Sequence, residues 1–295
     1  MILMLVCIYL FTSGPKPEGV WTAEWKPDGS ILTLGGDDST LWIYNGNDLR
    51  LSKTVSVNAM VLSLAWHPRK PLLAIATRTG VQFWNPDTGI LTTAIGFSSG
   101  GRGIGWNYDG SLLALADGNG VIQVADADGK VIRSIPKEDR NSYLTMHWHP
   151  FKNLILTGGD DLRIWDTAGH ALNIFRHRNE FTGILSVRWH PSGNFFAVGD
   201  YGHEKEGMPT VLQFWKADGT LIKTIAGHHA EIRNMRWNHD GSKLATAADG
   251  LRVWDKEGKL LRAMPTKYHL WALAWRPDSK QIISMPFEGG DLLAW

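Results

Sequence analysis

Leu244–Asp255 reads LATAADGLRVWD, and it decides the fold. A short apolar run meets a tight Ala-Asp-Gly turn, and a second alternating run ends in Trp254-Asp255. Gly227-His228 and an apolar run to Trp237 stand ahead of it, completing a unit of about forty residues. Within the unit, Ile232–Trp237, Lys243–Ala247, Leu251–Asp255 and Lys259–Met264 read as strands a to d, each near the usual strand length. His239-Asp240-Gly241, Asp249-Gly250 and Lys256-Glu257-Gly258 supply the turns, since Asp bonds its own backbone and Gly accepts positive φ.

The unit recurs. A Trp closes strand a at Trp25, Trp66, Trp106, Trp148, Trp189, Trp237 and Trp275, with gaps of 41, 40, 42, 41, 48 and 38 residues. A second marker follows at Tyr44, Trp84, Ala125, Trp165, Trp215, Trp254 and Trp295. A period of roughly 40–45 residues with four strands per unit is the mark of propeller blades. The expected fold is all-β: a seven-bladed β-propeller of four-stranded antiparallel blades over 20–295, preceded by an apolar segment at 1–19.

The pattern resembles the WD40 repeat from about Val20 onward. The Trp-Asp pair stands at Trp165-Asp166 and Trp254-Asp255 and is degenerate elsewhere; ahead of a strand a, a clean Gly-His pair stands only at Gly227-His228. The resemblance implies a buried hydrogen-bonded set of His228, Thr246, Asp249 and Trp254, with the other blades lacking the His and held mainly by packing. It also implies that strand a lines the central channel and that the face bearing the d–a and b–c loops binds peptides. In WD40 proteins a strand from the other terminus often closes the last blade, and here Cys7–Thr12 is placed to do so.

Residues 1–12, MILMLVCIYLFT, carry a second reading as a cleaved secretory signal, although no Lys or Arg precedes the apolar run, and a third as part of an incomplete chain. The expected compartment is cytoplasmic, or secreted or periplasmic if that segment is removed. The chain has 30 basic against 29 acidic side chains and a net charge of +1, which gives no electrostatic case for nucleic acid. One cysteine, Cys7, excludes an intrachain disulfide framework.

Catalytic motifs are missing: no nucleophile elbow, P-loop or dinucleotide Gly motif stands in a strand–turn–helix context. Gly100-Gly101-Arg102-Gly103-Ile104-Gly105 opens a strand, so it lacks the helix N-terminus that binds phosphate. His67, His149 and His190 follow marker Trp residues in different blades, too far apart to share an ion, and are expected to cap the Trp-His-Pro turns. No metal, cofactor or catalytic residue is therefore assigned.

Candidate partner-binding residues come from position. The residue four before each marker is Trp21, Leu62, Arg102, Leu144, Leu185, Arg233 or Trp271, expected at the channel mouth; two places earlier stand Met60, Glu231 and His269. Trp and Arg are hot-spot residue types, whereas the three Leu fit a plug. Blade five carries one insertion, Asp200–Thr210, which adds Tyr201, His203 and Glu204 to the candidates. The expectation is a monomeric, non-catalytic scaffold for a protein or peptide; the alternative is an enzyme or small-ligand binder at the channel mouth.

Overall fold

The computed structural model describes residues 14–94, 97, 101–117, 119–137, 142–178, 183–203, 205 and 207–295, together with the backbone of 8–10. Its described strands form seven four-stranded antiparallel sheets, and no described residue is α-helical. In six sheets the strand order follows the chain. The seventh has the N-terminal strand Ile8–Leu10 at its outer edge, paired with Leu292–Ala294 in the register Ile8↔Ala294 and Leu10↔Leu292.

Each strand a ends on its marker Trp, from Val20–Trp25 in blade one to Leu270–Trp275 in blade seven. The reason lies in the neighbouring blade. Trp106 Nε1 donates to the Ala65 carbonyl at 3.2 Å, Trp148 to Gly105 at 2.7 Å and Trp275 to Arg236 at 3.0 Å. In each case the acceptor directly precedes the marker Trp of the previous blade, so at these three junctions the indole latches one blade to the next, whereas among the described residues Trp25, Trp189 and Trp237 are held by packing alone.

The buried apolar side chains form clusters between blades. Leu41, Ile43 and Val61 join blades one and two, Ala197, Phe214 and Met235 join five and six, and Val20, Leu34, Ala272 and Met285 join blade one to blade seven. Both faces of the inner strands are therefore covered, which is why Leu73–Thr77 and Gly80–Trp84 are buried throughout instead of alternating. Strand d is the outermost strand and is exposed along most of its length, as in Leu221–Ala226.

His67, His149 and His190 do cap their turns: His67 Nδ1 accepts from Arg69 N (3.0 Å) and Lys70 N (2.9 Å). They also do something the sequence did not announce. Their Nε2 atoms donate to the carbonyls of Gly110, Gly193 and Gly241 in the following blade, at 3.1, 3.2 and 2.9 Å. Gly241 has φ +74°, and a Cβ there would lie 2.7 Å from His190 Nε2, so both backbone conformation and ring approach demand glycine.

Candidate functional site

A recurring irregularity builds the channel mouth. Pairing of strands a and b skips a residue between Val20/Thr22, Val61/Ser63, Tyr143/Thr145, Ile184/Ser186 and Leu270/Ala272. The skipped residues are Trp21, Leu62, Leu144, Leu185 and Trp271. A bulge re-aims a side chain that regular pleating would send to the other face. In blades three and six, Arg102 and Arg233 lie just ahead of the strands Gly103–Trp106 and Asn234–Trp237. All seven residues line one cavity of about 80 Å³ in the channel, together with Ser63, Ser186, Arg188 and Arg236 from further along the strands.

The mouth is aromatic on one side. Trp21 and Trp271 meet edge-on with centroids 4.9 Å apart, and Phe287 packs 3.9 Å from Trp271 and 5.8 Å from Trp21. The guanidinium of Arg102 stands 5.1 Å from the Trp21 ring, and that of Arg233 stands 4.3 Å from Trp271, both cation–π distances. Trp21 Nε1 donates to Asp37 Oδ1 at 2.6 Å, fixing the indole. Arg233 is not a free clamp: its Nε donates to Glu231 Oε1 at 2.8 Å. Burial, followed by the positive charge of Arg233, lowers the pKa of Arg102.

Beside the mouth lies an open depression of about 590 Å³ between the blade-five insertion and blade six, lined in part by Tyr201, Met208, His229, Glu231 and His269. The insertion is a small hairpin in which His203 and Met208 exchange backbone bonds of 2.8 and 3.0 Å. Its base is organised by the buried Asp200 carboxylate. That group accepts from His177 Nε2 (2.9 Å), Arg178 Nη1 (2.9 Å), Val211 N (2.8 Å) and Gly202 N (3.2 Å). Burial pushes the Asp200 pKa up, but these donors, His177 foremost, outweigh it and hold it below the usual value.

The structure brings together Trp21, Arg102, Arg233 and Trp271 at the mouth, and Tyr201, Glu231 and His269 around the adjoining depression. Met60 lines neither; its carbonyl accepts from Arg78 N at 3.0 Å. His203 serves the hairpin ladder, and Glu204 lies outside the described residues. Phe287 was missed because it follows Pro286 in a b–c loop, where no marker spacing points to it.

Two expectations about the buried polar set need correction. Trp254 Nε1 donates to Thr246 Oγ1 at 3.0 Å, and Thr246 Oγ1 lies 3.1 Å from His228 Nε2. His228 and Asp249, however, are 3.6 Å apart, beyond hydrogen-bond reach. Arg252 stands between them, with Nη1 2.7 Å from Asp249 Oδ1 and 3.0 Å from His228 Nδ1. Burial lowers the His228 pKa; on Asp249 burial acts upward but loses to the adjacent His228 ring and the bonds from Arg252, which hold it far below the carboxylate range. Blade six is also not alone in having a buried His, since His177 gives blade five a second His–Asp pair. It was overlooked because Arg176, not Gly, precedes it.

The family model for the WD domain, G-beta repeat, matches residues 6–45, 171–204 and 219–255. Similar proteins include the WD repeat-containing protein slp1 of Schizosaccharomyces pombe, 25% identical over 76% of this chain and 46% of that protein. The B-type cell cycle switch protein ccs52B of Medicago truncatula is 22% identical over 90% of this chain and 58% of its own. The anaphase-promoting complex subunit cdc20 of Dictyostelium discoideum is 22% identical, over 85% and 52%. The chain thus spans about half the length of the curated relatives it matches. No helix among the described residues is long and apolar enough to cross a membrane. The chain is a seven-bladed β-propeller, and three stretches of it match the WD40 repeat.

Proposed function

We propose that this propeller is a non-catalytic interaction scaffold that seats a peptide segment of a partner protein across the channel mouth. The observation that carries the reading is the half-buried Trp21–Trp271–Phe287 cluster flanked by Arg102 and Arg233. It is an aromatic surface with adjacent charge on a rigid ring, the composition in which hot spots concentrate. An extended segment leaving the mouth passes directly over the depression walled by Tyr201, Glu231 and His269, which gives a second point of contact. The names of the relatives, a subunit of the anaphase-promoting complex and a cell cycle switch protein among them, support work by assembly with other proteins over work by chemistry. The intracellular compartment implied by such relatives belongs to the same proposal.

Selection of peptides on the purified chain, followed by titration of the best binder, tests it. Trp271→Ala should weaken binding by about 2 kcal/mol or more, the size of a hot-spot truncation, with cooperative unfolding retained. Unchanged affinity in Trp271→Ala and Arg102→Ala together would remove the mouth from consideration.

A further inference from the structure

The channel below the mouth is lined by more positive charge than its carboxylates balance. Arg102, Arg188, Arg233 and Arg236 line the same 80 Å³ cavity, and none of its lining residues is acidic. Two of the four are already paired: Arg233 with Glu231, and Arg236 with Glu24 at 3.3 Å. Arg188 spends Nη1 on the Val187 carbonyl at 2.7 Å, which carries no charge. Arg102 meets only the Trp21 ring among the described residues. Two guanidinium charges thus face the channel without a carboxylate partner, an arrangement that an incoming anion would relieve.

A second, independent feature points into the same space. Ser186 is 2% exposed and lines the cavity, yet its Oγ has no hydrogen-bond partner. Buried hydroxyls normally have one. The volume is about five times the ~15 Å³ that admits a single water, enough for a compact group of a few heavy atoms.

We propose that the channel throat is an oxyanion site, in which a phosphate or carboxylate group sits against Arg102 and Arg188 and accepts the Ser186 hydroxyl. The group is a free ion or the anionic end of a side chain that a bound segment sends down the channel. The site shares Arg102 with the proposed partner face and otherwise uses residues below it.

Isothermal titration with inorganic phosphate, at ionic strength held constant with chloride, tests the site directly. The full chain should bind one phosphate saturably. Arg188→Gln and Arg102→Gln should each weaken it at least about tenfold, the loss expected for a charged hydrogen bond, and Ser186→Ala should weaken it less. Should Arg188→Gln fail to fold, the exposed Arg102 and the small Ser186→Ala change carry the same comparison. N-acetyl-phosphoserine amide and N-acetyl-aspartate amide distinguish the sources: tighter binding than phosphate assigns the group to a side chain, and equal or weaker binding assigns it to a free ion. Absence of saturable binding by all three anions, or equal affinity in wild type and all three variants, overturns the site. Phe287→Ala separates it from the partner face: Phe287 packs on Trp271 but does not line the cavity, so its truncation should weaken peptide capture while phosphate binding persists.

Discussion

At three blade junctions the position of a single proton couples two blades. His67, His149 and His190 each accept turn amides or a hydroxyl on Nδ1 and donate from Nε2 to a glycine carbonyl of the following blade, a combination only the neutral Nε2–H tautomer can supply. Burial lowers the pKa of all three, as it does for His228 and for His147, which is pushed down to about 3. Each is harder to protonate folded than unfolded, where an imidazole titrates near 6.5. The unfolded chain therefore takes up more protons below that pH. Stability is full above about 6.5 and falls as pH drops, by up to about 1.4 kcal/mol per pH unit for each histidine involved. Urea unfolding between pH 7.5 and 5 should show this slope, and His190→Ala should lessen it while lowering stability at pH 7.5. Gly241→Ala should cost about 2 kcal/mol, because it forces a left-handed alanine onto the His190 ring. Histidine capping of these turns was legible in the Trp-His-Pro spacing; the donation across the junction was not, because its acceptor lies 43 to 51 residues away with no sequence mark on the carbonyl.

Among elements, the strand-a bulges and the blade-five insertion carry the site. Counting back four residues from each marker finds the mouth-lining residue in every blade, although in a regular strand the residues four and three before the Trp would face opposite sides. The bulge that brings both to the channel is a property of pairing with strand b, so it cannot be read from strand a alone. Likewise, Leu62, Leu144 and Leu185, suited to a plug, share the ring with Trp21, Arg102, Arg233 and Trp271 around a cavity. The length of the insertion was legible, but its anchor was not: Asp200 passes for an ordinary turn aspartate until His177 and Arg178, contributed by the preceding d–a loop, are seen bonded to it. Replacing 203–208 by a Gly-containing turn should leave the Asp200 set and the melting transition intact while weakening peptide capture. Asp200→Ala should instead cost about 3 kcal/mol or more, because it leaves buried His177 and Arg178 without their shared partner. If the shortened hairpin captures peptide as well as wild type, the depression beside the mouth plays no part in binding.

The whole molecule is a closed ring, and its closure has two components. Ile8–Leu10 completes blade seven, while blade one docks on blade seven through Val20, Ala272 and Met285 and through a 3.0 Å bond from Val20 N to Phe287 O. Deleting residues 1–12 should expose the edge of Leu292–Ala294 and promote concentration-dependent association, seen as a rising mass by light scattering, because an unpaired strand edge templates pairing. A deletion variant that stays monomeric with unchanged melting would show that the apolar docking of blade one suffices. The rigidity of that ring is what lets scattered side chains act as one surface, and the surface claim has its own direct measurement. Hydroxyl-radical footprinting of the chain, with and without a selected peptide, reports contact at each aromatic side chain. The account predicts protection of Trp21, Trp271, Phe287 and Tyr201, with no change at the exposed outer-rim residues Leu172, Ile222 and Leu261. Protection confined to the outer rim, with the mouth aromatics unchanged, would contradict it.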